Sequence, residues 1–254
     1  MPQLPTLLEL FTAGVHFGHQ ASKRHPKMKP YIFTVKNGIH IINLEITLQK
    51  LSEALAYVTT AVANGGTVLF LGTKQQAKSI VRKYATAVSM PYVTERWLGG
   101  TFTNFGEISR VIQRFQDLKR KRDTGGLEKY TKKERLDFDR EIERLEKIVG
   151  GIEHLRKIPE VLYVVDVRNE NIAVAEATRK GVPIVAPCDT NVNPTPIAQV
   201  IPANDDAIKS IELITRLVSE AVSEGLALRE RQAAVNAVPG GKNPKVMEQD
   251  TAAL

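Results

Sequence analysis

Short continuous apolar runs alternate along this chain with longer segments in which apolar residues recur every three or four positions. The runs are typical of buried strands in a sheet covered on both faces, and they occur at 67–71, 91–93, 161–165, 184–186 and 200–201. The longer segments predict amphipathic helices at 44–62, 73–88, 170–180 and 205–228. This alternation predicts an α/β fold built on a doubly wound, mostly parallel sheet of the Rossmann or flavodoxin-like type.

The first 45 residues follow a different pattern. Thr6 and Glu9 form a capping box that predicts the start of a short helix, and Gly14 suits its left-handed C-terminal position. Asn37-Gly38 separates two β-rich runs at 31–36 and 39–42, and this dipeptide is the strongest short signal for a tight turn. We therefore expect an N-terminal β-hairpin ahead of the main sheet.

Between residues 105 and 157 the chain becomes strongly charged and carries two helical stripes. They consist of Ile108, Val111, Ile112, Phe115 and Leu118, and of Leu145, Ile148, Val149, Ile152 and Leu155. Thr131 and Glu134 can cap the second helix, and the break at 123–126 is a turn. This insertion predicts an antiparallel helical hairpin, or coiled coil, that projects from the sheet. Residues 1–104 and 158–228 then form the α/β domain, and 229–254 a flexible tail.

Four consecutive cations, Lys119-Arg120-Lys121-Arg122, fall at the expected tip of this hairpin. Ion pairs on a solvated helical surface explain most of the other charges of the insertion. Clustered like charges repel one another, however, unless something neutralises them. Two partners remain open for the tip, a phosphate backbone and another protein.

The overall charge narrows the class of partner. A net charge of +7 and a sequence pI of about 9.4 favour an acidic partner such as nucleic acid or an anionic membrane surface, although a merely basic soluble protein stays open. The single cysteine, Cys188, excludes an intramolecular disulfide, fits a reducing compartment and is interpreted as a small packed thiol. No apolar run approaches the roughly 20 residues of a membrane span, and we expect a cytoplasmic protein.

The stretch from residue 14 to residue 29 combines cations with His, Pro and Gly, and it lacks paired carboxylates and cysteine. Such a loop offers positive charge and ring faces without the groups that catalysis needs. We interpret residues 1–45 as an RNA-facing extension, because a polyanion is the partner that this chemistry suits. The candidate RNA-binding residues here are His16, His19, Lys23, Arg24, His25, Lys27 and Lys29.

The histidines of this region also raise the question of zinc, since imidazole is a common zinc ligand. His16 and His19 are closely spaced, and His25 and His40 lie within reach. No cysteine or acid accompanies them locally, so we favour ring stacking, backbone hydrogen bonds or phosphate contact over a metal site. We expect no cofactor.

The carboxyl ends of the predicted strands are where a nucleotide binds in doubly wound folds. Here they carry Gly72-Thr73-Lys74, Asp166 and Cys188-Asp189-Thr190. Two glycine patterns let the backbone wrap a pyrophosphate, G-x-G-x-x-G and G-x-x-x-x-G-K-[ST], and neither is present here. We therefore interpret Thr73 as a helix cap and the aspartates as turn residues. A nucleotide-binding enzyme that uses these strand ends is the alternative function, but no catalytic pairing emerges from the local sequence.

A second unusual loop runs from Arg96 to Asn104 and contains the only tryptophan of the chain, Trp97. Glycines permit close backbone approach, and both Trp97 and Arg96 could stack on or pair with RNA. We favour Trp97 as an anchor that holds the base of the helical hairpin against the sheet. Arg96 is the better candidate for a phosphate contact.

Several separated segments together resemble the ribosomal protein S2 family, in the bacterial or organellar type that carries the helical insertion. The resemblance is in sequence order and extends to about residue 225; its segments are 16–42, 71–77, 90–104, 159–184 and 202–211. One departure is local, because Asn43 stands where the family pattern leads us to expect aspartate. Both residue types cap helices, so the departure changes little.

The resemblance implies a structural, non-catalytic component of the small (30S) ribosomal subunit that binds 16S ribosomal RNA (rRNA) and contributes to subunit assembly and translation. It also implies other small-subunit proteins as partners, among them the large mRNA-binding protein with repeated OB domains. The sheet would then be a scaffold whose ligand site is unused.

Overall fold

The computed structural model describes residues 3–236, and its N-terminal part is a short helix followed by a small sheet. The helix, α1 (Leu7–Thr12), begins at the predicted capping box. Strands β1 (Phe17–Gln20), β2 (Ile32–Lys36) and β3 (Ile39–Ile42) form an antiparallel sheet in the order β1-β3-β2. Asn37 and Gly38 both have positive φ, as the tight turn between β2 and β3 requires, which confirms the hairpin.

Strand β1 was not among the predicted elements. Its sequence, Phe-Gly-His-Gln, has neither alternation nor branched side chains, so nothing local indicates a strand. It forms because it pairs with β3, where Phe17 lies opposite Ile41 and Gln20 opposite Ile39.

The main sheet has five parallel strands in the order β5-β4-β6-β7-β8. They are β4 (Val68–Leu71), β5 (Tyr92–Val93), β6 (Val161–Val164), β7 (Ile184–Cys188) and β8 (Gln199–Pro202). The remaining helices are α2 (Leu44–Ala63), α3 (Gln75–Ala87), α4 (Phe105–Asp123), α5 (Lys132–Val149), α6 (Asn171–Lys180) and α7 (Ile208–Asn236). The predicted α/β fold with a parallel sheet is confirmed.

Side chains of the strands alternate between two apolar layers, which is why the strands read as continuous apolar runs. Leu69, Leu71 and Val164 face the layer that contains α4, α5 and α6. Phe70 and Tyr163 face the opposite layer, which contains α2, α3 and α7. Helices therefore cover both faces of the sheet, as a doubly wound fold requires.

Two helix boundaries differ from the predictions. Thr73 does not cap α3: the N-terminal capping position is Lys74, without a side-chain capping bond, and Thr73 instead donates its backbone N–H and its hydroxyl to Glu170. Helix α7 continues to Asn236, so residues 229–236 are helical where the sequence predicted the start of a tail. Residues 237–254 lie outside the described residues.

The helical insertion is bound closely to the sheet. Its buried stripe residues belong to the same apolar layer as β4, β6 and Trp97, and Arg114 pairs with Glu141 across α4 and α5 at 2.8 Å. Lys119, expected at a projecting tip, lines a cavity together with Tyr92 of β5. Tertiary packing thus places the end of α4 beside the sheet. No helix in the described part of the chain is long and apolar enough to cross a membrane.

Candidate nucleic-acid interface

The predicted basic loop is an ordered surface segment between β1 and β2. It consists largely of two short 3₁₀ helices, Ala21–Lys23 and Pro26–Tyr31, and the fully buried side chain of Met28 anchors it to the core. Its four lysines and arginines are exposed, and within residues 3–236 none has a carboxylate at salt-bridge distance; they are Lys23, Arg24, Lys27 and Lys29. The loop therefore presents uncompensated positive charge from a fixed backbone.

Backbone hydrogen bonds hold this loop against the segment that follows β7. The N–H of His25 donates to the carbonyl of Thr190 at 2.8 Å, and Lys27 Nζ donates to Thr195 Oγ1 at 2.7 Å. His25 is half-buried, and its Nδ1 accepts the N–H of Lys27 at 3.3 Å. His25 thus acts as a helix cap inside the loop.

His16 does not lie on the surface where the sequence reading put it. Its ring is 7% exposed and stacks on Phe11 at a centroid distance of 4.4 Å, with Phe17 on its other side at 4.0 Å. Burial lowers the pKa of His16, so the ring is a neutral packing element at pH 7. A direct cationic contact from His16 to RNA is therefore not supported by this geometry.

His19 faces the carboxyl ends of the main strands. Its Nδ1 lies 2.9 Å from Asp189 Oδ2, and its Nε2 lies 3.4 Å from Asp206 Oδ2. The hydrogen bond to Asp189 raises the pKa of His19, although burial opposes the shift. His19 is thus paired within the chain, and it links β1 to the main sheet.

The strand ends themselves form an acidic cluster closed by Lys74. Lys74 Nζ lies 3.0 Å from Asp166 and also pairs with Asp206. Burial alone would lower the pKa of Lys74, but its hydrogen bonds to Asp206 and Asp166 raise it to about 12. Burial, with Asp189 and Asp166 nearby, raises the pKa of Asp205 to about 8. Asp166, Asp189 and Asp206 are therefore ion-pair partners as well as turn residues, and their negative charge repels a nucleotide phosphate.

One group of the described residues has the geometry to hold a metal ion. The ligand atoms of His19, Asp189, Asp205 and Asp206 all lie within 4.8 Å of one another. One imidazole nitrogen and three carboxylates suit a divalent cation. The zinc alternative considered from the sequence grouped histidines, and of those only His19 belongs to this group. The aspartates come from far along the chain, so local spacing could not reveal them.

The loop from Arg96 to Asn104 is organised by a single buried carboxylate on α6. Glu176 accepts hydrogen bonds from the N–H groups of Gly100 at 2.7 Å and Phe102 at 2.9 Å, and from Trp97 Nε1 at 3.3 Å. Burial alone would raise the pKa of Glu176, but these and the Thr103 donors lower it. Trp97 is 6% exposed, in keeping with its predicted anchoring role, and Arg96 is exposed.

The four cations at the end of α4 are mostly neutralised within the chain. Lys119 pairs with Glu153 at 3.3 Å, Arg120 with Asp117 at 2.6 Å, and Arg122 with Asp123 at 3.1 Å. Lys121 is exposed and has no such partner in the part of the chain that the structure describes. These ion pairs reduce the repulsion among the four cations, which was the reason to consider this segment a binding site. The N-terminal loop is therefore the stronger candidate for RNA contact.

An exposed apolar patch adjoins the same N-terminal region, and the sequence reading did not find it. Leu8 is 73% exposed, Phe11 59% and Phe33 72%, and all three line one groove. The exposed side of α1 and the outer face of β2 meet there only in the folded chain. A patch of this kind is typical of a protein contact.

Comparison with known proteins decides what kind of protein carries this surface. The family model described as ribosomal protein S2 matches residues 10–225. The chain belongs to the ribosomal protein S2 family. It is 47% identical to small ribosomal subunit protein uS2 of Mycolicibacterium paratuberculosis over 224 residues, which are 88% of this chain and 81% of the relative.

Other relatives give the same answer. The uS2 protein of Acidothermus cellulolyticus is 46% identical over 241 residues, covering 94% of this chain and 86% of the relative. That of Nocardia farcinica is 46% identical over 234 residues, covering 92% and 82%. This S2 family member is a structural ribosomal protein of the small subunit and not an enzyme. The alternative of a nucleotide-binding enzyme is set aside.

Proposed function

We propose that this S2 family member binds 16S rRNA through its N-terminal basic loop and thereby contributes to assembly of the small subunit in the cytoplasm. The observation that carries the proposal is the set of four exposed cations without carboxylate partners in the described chain, on a backbone fixed by Met28 and Thr190. Phosphate contacts by such cations release counterions and are the dominant sequence-independent part of RNA affinity.

The experiment measures affinity for 16S rRNA as a function of salt. Changing Lys23, Arg24, Lys27 and Lys29 together to glutamine should flatten the slope of log K against log salt by about 3, because each phosphate contact contributes about 0.7 to 0.9. Thermal stability should change little, since all four side chains are exposed.

A charge-matched control removes four exposed cations of α5, namely Lys132, Lys133, Arg135 and Arg144. This variant should keep the slope of the unaltered chain. Equal flattening in both variants would mean that net charge alone governs binding, and the loop would lose its role as the contact site.

We also propose that the apolar patch around Leu8, Phe11 and Phe33 contacts a neighbouring protein of the small subunit. Its exposure supports this, and the family resemblance suggests the large mRNA-binding protein with repeated OB domains as that neighbour. Phe33→Ser should lower the amount of that protein recovered with small subunits, whereas Leu136→Ser, at an exposed apolar site on α5, should not. Equal recovery from both variants would remove the patch as its docking site.

A further inference from the structure

The segment after β7, residues 189–195, is the structural support of the basic loop although it contains no cation. It contacts the loop at His25 and Lys27, and it also contacts His19 in β1, just before the loop. Thr190 offers its carbonyl to the N–H of His25 at 2.8 Å and its hydroxyl oxygen to the N–H of His19 at 3.0 Å. Thr195 Oγ1 accepts from Lys27 Nζ at 2.7 Å. The contacts thus hold the chain just before the loop and in the middle of the loop, and they include one of its cations.

Packing at Thr190 is as close as its hydrogen bonding. A Cβ built on Gly18 would lie 2.7 Å from Thr190 Cγ2 and 3.0 Å from Thr190 Oγ1, so β1 passes Thr190 without room for a side chain. Thr190 is completely buried. It cannot itself touch RNA, and any effect it has on RNA affinity must act through the loop.

We propose that Thr190 and Thr195 are positioning residues that hold the basic loop in the conformation in which its cations meet RNA phosphates. The inference rests on the proposed function and adds to it the part of the chain that sets the geometry of the contact. Outside Met28, the loop buries little, and ordering a free loop costs conformational entropy at the moment of binding. A loop that is already ordered in the folded protein loses little further conformational entropy when it binds RNA.

The test uses substitutions that leave the charge of the chain unchanged. Thr190→Val keeps the shape of the side chain and removes the hydroxyl that accepts from the N–H of His19 and donates to Asp189 Oδ1, which leaves Asp189 Oδ1 as the remaining acceptor of that N–H. Thr195→Val removes the hydroxyl oxygen that accepts from Lys27 Nζ, and because Thr195 is exposed, the substitution does not change the packing of the core. Each should weaken 16S rRNA affinity about fivefold at fixed salt, as the loss of one hydrogen bond implies. Each should also flatten the salt slope, because displaced cations neutralise fewer phosphates.

Thr190→Ser is the conservative variant, because it retains the hydroxyl, and it should restore both affinity and slope. Thr60→Val is the matched control: the hydroxyl of Thr60 donates to Ala56 within its own helix, and its loss should not change RNA binding. Hydrogen exchange at the backbone amides of His19 and His25 should speed up in Thr190→Val, whose melting temperature should also fall because a buried hydroxyl with two hydrogen bonds is lost. Thr195→Val, at an exposed position, should lower RNA affinity while its melting temperature changes little.

A double-mutant comparison separates this inference from the proposed function. Added to the variant that lacks all four loop cations, Thr190→Val should have no further effect on RNA affinity. If the four-cation variant binds like the unaltered chain, the proposed function fails. If that variant loses affinity while Thr190→Val and Thr195→Val keep the native affinity and slope, the positioning role fails and the loop contact stands.

Discussion

At the scale of single residues, Asp205 is the clearest case of a side chain whose charge depends on its surroundings. It is 2% exposed and lies among Asp166, Asp189, Asp206 and Lys74. Burial and the neighbouring acids raise its pKa to about 8, against an ordinary value of 3.8. Between those two values the folded chain holds a proton that the unfolded chain has released.

The sign of the pH dependence follows from that difference. The folded state binds more protons at Asp205, so this residue's contribution to stability falls as pH rises toward 8. Asp205→Asn has no titrating carboxyl at this position and therefore lacks its pH-dependent contribution to stability. The melting temperature of the variant minus that of the native chain should increase by at least about 3 °C between pH 5 and pH 8.5 in metal-free buffer. The exposed Asp139→Asn is the control. A pH-independent difference for Asp205→Asn would contradict the assigned shift.

Residue-level predictions from sequence succeeded where the partner is local. The capping boxes at Thr6 and Thr131 form as predicted, and Asn43 caps α2, because each bonds within four residues of itself. Thr73 carries a similar local pattern, yet its hydroxyl goes to Glu170, 97 residues further along the chain. His16 is a different case: its ring partners, Phe11 and Phe17, are close in sequence, but the burial that makes the ring a packing element is set by the fold.

At the scale of elements, Glu176 joins α6 to the loop that leads into α4. It gathers donors from Trp97, Gly100, Phe102 and Thr103 in a buried site. Glu176→Gln replaces a charged acceptor with a neutral group that also brings its own donors. We expect a loss of about 2–3 kcal/mol in the free energy of unfolding, as for buried hydrogen bonds to a charged group.

Two measurements check this expectation together. Urea unfolding gives the stability change, and fluorescence of Trp97, the single tryptophan, reports whether the loop has opened. The exposed Glu143→Gln should alter neither. Unchanged stability and emission in Glu176→Gln would show that the carboxylate does not organise this loop.

Elements with a strong period or a strong turn were predictable, and those defined by distant pairing were not. The β2–β3 hairpin and the strands of the main sheet follow from local pattern. Strand β1 exists only through β3, and the position of the α4 cations depends on Glu153 and on β5. Sequence reasoning therefore placed the basic segment between β1 and β2 but could not show that three of the four cations at the end of α4 pair within the chain.

At the scale of the whole molecule, residues of the chain itself occupy the carboxyl ends of the parallel strands, where ligands bind in other doubly wound folds. Lys74 and His19 pair with the aspartates there, and β1 lies across the same region. The sheet thus serves as a scaffold that fixes the N-terminal basic loop and the adjoining apolar patch. This agrees with membership of a structural ribosomal family.

The measurement that tests this account most directly is co-sedimentation of the tagged chain with small ribosomal subunits in sucrose gradients of rising salt. The unaltered chain should travel with the small subunit and leave it only at high salt. The variant without Lys23, Arg24, Lys27 and Lys29 should leave at markedly lower salt, because fewer phosphates are neutralised. Release of both chains at the same salt concentration would contradict the claim that this loop is the RNA contact.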